Sequence, residues 1–189
     1  EKGGHILGIA PKFFEENNYF NYGKENISFF VQGELPMLDT NGKILRTKEG
    51  LIKEAADGHG GVLESIYKNN ILEDMQKRNI KWIFIGSIDN ILLKIADTTL
   101  IGLAVDRQVE IATKSLVRNS PDEKIGAICK IDNKIKVIEY TEMSDEMKNR
   151  RNEDGELTFG ESHIMCNLFS LKALQILAKK DLPYHIAHK

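Results

Sequence analysis

Residues 82–90 read Trp-Ile-Phe-Ile-Gly-Ser-Ile-Asp-Asn. The first seven are apolar almost without interruption and do not alternate with polar residues, the pattern of a central strand covered on both faces in an α/β sheet. The run stops at Asp89-Asn90. A carboxylate just past the carboxyl end of such a strand lies where open α/β sheets form ligand crevices, and it can hold magnesium. The competing reading of Asp89 is a cap for a segment starting near Asn90.

Upstream, the glycine-rich stretch Ala56-Asp57-Gly58-His59-Gly60-Gly61 leads into a helical pattern. Val62 and Ile66 are four apart, as are Leu63, Tyr67, Ile71 and Met75, so one apolar face runs through to Met75. Before the glycines, residues 26–31 (NISFFV) are rich in aromatic and β-branched side chains. They read as a buried strand that delivers Gln32 and Gly33 to a loop turning at Pro36. Two short extended pieces, 43–46 and 51–53, lie between. Downstream, residues 109–117 read as a strand, and 125–131 with 134–141 as a hairpin turning at Asp132-Asn133. Ser144 caps a short helix with Asp145 and Glu146 in its first turn. A last strand over 163–169 precedes a helix over 171–180. Helices and strands thus alternate through one layered α/β unit whose hairpin argues against a purely parallel sheet.

With 189 residues and 41% hydrophobic side chains, the chain can bury one sizeable core, and its length favours a single compact unit. Its 28 acidic and 26 basic residues are dispersed and leave a charge of -2. No basic stripe could track a phosphate backbone, so nucleic acid is not the expected partner. No apolar run approaches the roughly 20 residues that cross a bilayer, and Gly3, Gly4 and His5 stand where a signal peptide needs an apolar stretch. A cytoplasmic location is expected, without a membrane or an obligate protein partner. Cys129 and Cys166 sit in apolar stretches and read as small buried hydrophobes in a reducing compartment. The first residue is Glu1 and the last segment, residues 186–189, carries no stop signal, so the chain is expected to be a piece of something longer.

Several residues could carry chemistry. Gln32 presents a primary amide, donor and acceptor side by side, which matches the edge of a uracil ring; a bond to local backbone would use the same groups. The glycines at 58, 60 and 61 permit close approach of a base or phosphate beside a helix N-terminus, or serve only the turn. Glu139 and His163 are polar groups in or beside apolar strands and need partners, either sugar hydroxyls or neighbours in the sheet. The spacings His163-x-x-Cys166 and His185-x-x-His188 suggest zinc. An offset of three in a strand sends the first pair to opposite faces, however, and no second cysteine pair closes a tetrahedral site, so zinc is not expected.

Taken in order and spacing, these segments resemble the UDP-sugar pyrophosphorylase family, on its UDP-N-acetylglucosamine side. Residues 29–36 (FFVQGELP) resemble its uracil-recognition segment and 57–61 (DGHGG) its second nucleotide loop, while residues 71–75 (ILEDM) match the helix that follows. Residues 87–97 (SIDNILLKIAD) are similar to its most recognisable stretch, and 137–142 (VIEYTE) to the sugar-binding strand of the N-acetylhexosamine enzymes. The resemblance implies a Rossmann-like mixed sheet flanked by helices, of the nucleotide-diphospho-sugar transferase type, with residues 1–189 as the central part of a catalytic domain. It implies that Gln32, Gly58 and His59 hold the uridine nucleotide, that Asp89 serves Mg2+ and the triphosphate, and that Glu139 and His163 face the sugar. The N-acetylhexosamine enzymes carry asparagine where His59 and His163 stand, whereas the UDP-glucose enzymes use histidine at the first of these positions. The family's glycine-rich triphosphate loop with its arginine and lysine, and a downstream lysine, have no counterpart in these residues.

The implied reaction transfers UMP from UTP to a hexose 1-phosphate, with N-acetylglucosamine 1-phosphate favoured over the glucose and galactose analogues. The 189 residues alone are expected to turn over weakly. Two other readings are a noncatalytic UDP-sugar-binding module and a nucleotidyltransferase of the same fold that takes another base.

Overall fold

The computed structural model describes residues 4–186. They fall into two compact units, one of Glu1–Met75 with Gln175–Leu182 and one of Gln76–Leu174 with Pro183–Lys189, where length alone favoured one. The architecture is α/β, with antiparallel sheets flanked by helices, and every strand pairing among the described residues is antiparallel. Among those residues no helix is long and apolar enough to cross a membrane.

The first unit begins with helix α1 (Gly4–Glu16) and two single-turn 3-10 segments. Phe14 sits edge-on to both Phe20 and Phe29, with ring centroids 5.3 and 5.2 Å apart, a geometry that suits the ring quadrupoles. The strand expected over residues 26–31 does not form. Its backbone has no ladder partner, and Phe29 and Val31 stay 43% and 54% exposed. Apolar β-formers make a strand only where a second chain segment accepts their amides. Strand β1 (Glu34–Pro36) follows and pairs with β2 (Glu54–Ala56), so Pro36 ends a strand and faces Glu54 rather than turning a loop. The two extended pieces between them form only the bridges Leu38 to Ile44 and Arg46 to Ile52.

The helix expected from Val62 to Met75 is two helices, α2 (Gly61–Lys68) and α3 (Ile71–Lys77). They part at Asn69-Asn70, where Asn70 takes φ 57°. Asparagine tolerates this left-handed conformation better than other side chains, so it ends helices as glycine does. The expected apolar face is broken with it: Ile66 is buried, but Tyr67 is 49% exposed, and in α3 the buried residue is Leu72 rather than Ile71 or Met75.

The second unit is built on β7 (Glu161–Ser170), the longest strand. Strand β4 (Ile111–Val117) runs along one of its edges, from Phe169 to Glu161. Its other edge is shared. Strand β3 (Trp82–Gly86) covers Ser170 to Cys166, while the hairpin β5 (Ala127–Ile131) and β6 (Lys134–Ile138) joins at Ser162. Strand β3, expected to be central, therefore pairs among the described residues only with β7. The hairpin turns at Asp132-Asn133 with φ 48° and 63°, the pair of left-handed residues that fits the twist of a two-residue hairpin. Helix α4 (Thr98–Asp106) packs Leu100 and Ala104 on Leu168, with Trp82, Ile101 and Ala112 around them. Ser144 caps α5 (Asp145–Asn149) by accepting from the Met147 amide at 3.2 Å. Helix α6 (Leu171–Leu177) follows β7 directly.

Two buried charges hold this unit in ways the sequence did not announce. Asp97 caps α4 by accepting from the Thr99 amide at 3.1 Å, and its other oxygen meets Lys114 on β4. Lys114, the Thr99 amide and Lys94 hold its carboxyl down to about 2 against the opposing effect of burial. A carboxyl depressed this far contributes stability that is complete above its ordinary value near 3.8 and is lost as pH falls through about 2. Asp97→Ala is therefore expected to lower the melting temperature by roughly 5 °C or more at neutral pH and to flatten the acid limb of the stability curve. Asp97→Asn keeps an oxygen for the cap and should lose less. Arg118 is the second buried charge, 4% exposed. It donates to the carbonyls of Pro121 at 2.7 Å, Phe159 at 3.3 Å and Glu123 at 3.4 Å, clamping the loop after β4 to the approach to β7.

Candidate functional site

Three of the six candidate residues lie in the first unit and three in the second. In the first, Gln32 lies two residues before β1, and its side-chain amide donates to the carbonyl of Gly58 at 2.7 Å, across 26 residues of chain. The backbone reinforces this, since the Asp57 amide donates to Gly33 at 3.0 Å. The two segments proposed to read a nucleotide are thus one hydrogen-bonded element.

Its glycines divide the work. Gly58 sits at φ +92° with open space around the position of a Cβ, so it is required for its backbone conformation. At Gly33 and Gly61 a Cβ would collide with the carboxylate of Asp57. These two glycines make room for the protein's own side chain, a use that the spacing alone did not distinguish from ligand approach. His59 is exposed, and its carbonyl accepts from the Val62 amide at 3.2 Å as α2 begins.

In the second unit Asp89 lies three residues beyond the end of β3 and is exposed. Its amide donates to Ser87 Oγ at 3.3 Å, and that hydroxyl lies 3.4 Å from Asp89 Oδ2. This is a serine turn that fixes the carboxylate just past the strand. No helix begins at Asn90. The first helix after β3 is α4, capped by Asp97, so the capping role belongs to Asp97 and not to Asp89.

Glu139 follows β6 directly, and His163 is the third residue of β7. Gly126 connects them. The His163 amide donates to the Gly126 carbonyl at 2.9 Å, and a Cβ on Gly126 would lie 3.4 Å from Glu139 Oε1 and 2.8 Å from Val137 Cγ1. The His163 ring places Nε2 3.1 Å from Asn167 Oδ1. Gly126→Val should therefore push Glu139 and Val137 aside and lower the melting temperature by about 2–8 °C, as thermal unfolding would measure.

The ladder itself makes an opening here. Strand β3 ends opposite Cys166 and β5 begins opposite Ser162 on the same edge of β7, so residues 163–165 pair with neither. Met165 takes φ 50° within this gap, and the β4 register shifts between Lys114 and Ser115 on the other edge. A bulge of this kind re-aims side chains. The Asp89 turn leaves one side of the gap, and Gly126 with Glu139 stands on the other.

His188, half of the second spacing weighed for zinc, lies outside the described residues. Among the described residues no group of three histidine, cysteine or acidic side chains is placed to hold a metal ion. Both described cysteines are free thiols, Cys166 buried and Cys129 half-buried.

Residues 11–189 match the family described as UTP–glucose-1-phosphate uridylyltransferase. The chain is 37% identical to the UDP-N-acetylglucosamine pyrophosphorylase of Saccharomyces cerevisiae over 194 residues, covering 98% of this chain and 40% of that protein. In structure it is similar to a putative UDP-N-acetylglucosamine pyrophosphorylase from Entamoeba histolytica, with TM-score 0.83 and 40% identity over 95% of this chain and 44% of that one. The UDP-N-acetylglucosamine pyrophosphorylase of Trypanosoma brucei, crystallised with an inhibitor, gives TM-score 0.78 and 32% identity over 89% of this chain and 34% of that one. The chain thus spans about two fifths of the length of the yeast protein. With the motif order, the fold and these matches in agreement, the chain belongs to the UDP-sugar pyrophosphorylases of the UTP–glucose-1-phosphate uridylyltransferase family.

Proposed function

We propose that this chain is the central part of a cytoplasmic uridylyltransferase that joins UTP to a hexose 1-phosphate, with N-acetylglucosamine 1-phosphate as the preferred acceptor. The observation that carries this reading is the Gln32 amide fixed on the Gly58 carbonyl, in a chain of this family. The names of its relatives favour the N-acetylhexosamine substrate. Free thiols at Cys129 and Cys166 are consistent with a reducing compartment.

In the reaction an oxygen of the sugar 1-phosphate attacks the α-phosphorus of UTP, the bond from that phosphorus to the bridging oxygen breaks, and pyrophosphate leaves with the electron pair. No enzyme-bound intermediate is required. The obstacle is the approach of two anions, so the protein contributes alignment and charge neutralisation. Gln32, Gly58 and His59 hold the uridine end, while Glu139 and the His163 ring make hydrogen bonds to the sugar. An isolated exposed carboxylate suits Mg2+ carried in on substrate phosphates, which takes one or two protein carboxylates and keeps its other positions for phosphate and water. Asp89 would supply that ligand. When bound, the ion neutralises charge on the triphosphate.

The test is turnover by the full-length protein with N-acetylglucosamine, glucose and galactose 1-phosphates, read as pyrophosphate release. Preference for the first is expected. Binding of UDP-sugar without pyrophosphate release would make the protein a binding module instead.

A further inference from the structure

Beyond β6 the chain makes a tight turn whose internal bonds converge on Glu139. The Glu142 amide donates to the Glu139 carbonyl at 2.9 Å, and the Glu139 amide donates back to Glu142 Oε2 at 3.2 Å. The second oxygen of the same carboxylate, Oε1, lies 2.7 Å from Nδ1 of His185, which belongs to the segment after α6. One carboxylate therefore touches the backbone of Glu139 with one oxygen and a histidine 43 residues away with the other.

We propose that Glu142 is a positioning residue for Glu139 and that His185 holds Glu142 in place as a proton-dependent latch. The proposal rests on the reading of Glu139 as a sugar-binding residue. The hydrogen-bond geometry defines the chemistry. With the imidazolium present, Nδ1–H donates to a full negative charge, a charge-assisted bond that fixes the carboxylate rotamer. A neutral ring keeps at most a weaker hydrogen bond to the carboxylate, without the attraction of opposite charges. The charged groups that act on His185 are Glu142 and, through space, Glu139. Both are acidic and favour protonation, and only burial opposes it. The Glu142 contact raises the histidine above its ordinary 6.5, and the His185 contact lowers Glu142 below 4.5.

The signs define a window. The histidine's contribution is complete below about 6.5 and disappears as pH rises through its elevated value, while the carboxylate's contribution is present above about 4.5 and disappears as pH falls through its depressed value. Glu139 is held most firmly in mildly acidic solution and loosens as pH rises above neutrality. Both side chains remain partly open to solvent, at 55% and 43% exposure, so the effect is moderate and salt-sensitive.

Two variants of the full-length protein isolate the latch. His185→Lys keeps a cation that does not titrate near neutrality, and His185→Gln removes the charge. In the wild type, KM for the sugar 1-phosphate should rise about two- to fivefold between pH 6 and 8.5 relative to the lysine variant, with KM for UTP and kcat moving together in all three proteins. The lysine variant should stay at the low KM and the glutamine variant at the high one. Superimposed profiles would overturn the proposal, as would a change shared equally by both substrates. The Glu139 amide resonance gives a readout that needs no turnover. It should follow the His185 titration in the wild type and lose that dependence in the glutamine variant, and an amide indifferent to it overturns the latch. A wild type that turns over no sugar 1-phosphate defeats the uridylyltransferase reading, and the amide titration still decides the latch.

Discussion

Full-length protein carrying Gln32→Ala is expected to lose about 10- to 100-fold in kcat/KM for UTP, with a much smaller loss for CTP. The reason lies in the direction of one amide. Gly58 accepts a hydrogen bond from the Gln32 side chain at 2.7 Å, which commits Nε2 to that side and leaves the second N–H and the carbonyl for a ligand. Uracil offers an acceptor oxygen next to an N–H donor, the complement of that pair. Cytosine exchanges donor and acceptor, and the amide could serve it only by turning over. That would set Oε1 against the Gly58 carbonyl, two acceptors without a proton between them. Discrimination between the bases therefore depends on the Gln32–Gly58 bond as much as on the amide itself. Gln32→Glu should lose UTP use as fully as the alanine variant, because a carboxylate faces the same carbonyl. Steady-state kinetics with both nucleotides checks this, and retained preference for UTP in the alanine variant would refute it.

Asp89→Asn is expected to lower kcat about 10²- to 10³-fold with little change in folding. The substitution keeps the shape and removes the charge. Asp89 is exposed, and its recorded hydrogen bonds are confined to the Ser87 turn, so the melting temperature should move by no more than a degree or two. The catalytic loss should be largest at low Mg2+ and shrink as the ion is raised, the signature of a weakened ligand. A variant with full kcat at low Mg2+ would remove Asp89 from the reaction.

The contrast between Asp89 and Asp97 shows what the sequence could and could not tell. Both are aspartates in one family-like stretch, and the capping role weighed for Asp89 falls to Asp97. The deciding fact is where that helix begins, and α4 begins at Thr98. Strand β3, the hairpin at Asp132-Asn133 and the Ser144 cap were legible because each depends on neighbours within a few residues. The expected strand over residues 26–31 failed because pairing depends on a partner that local composition does not specify. The single long helix failed for a local reason that was readable, the Asn69-Asn70 pair. Of the six candidate residues, Gln32 with Gly58 and Glu139 with His163 form two local groups, the second bridged by Gly126, whose importance comes from crowding rather than from any motif. Lys114 meets Asp97, Arg118 bonds Phe159 and His185 bonds Glu142 across 17, 41 and 43 residues, so no motif pointed to these contacts.

The central claim is that the element joining residues 32 and 58 reads uracil. Calorimetric titration of the full-length protein with UTP and with CTP, at the same Mg2+ concentration, tests it without requiring turnover. The account predicts that UTP binds at least about tenfold more tightly, one hydrogen-bond pair's worth of discrimination. Equal affinity for the two nucleotides would contradict it.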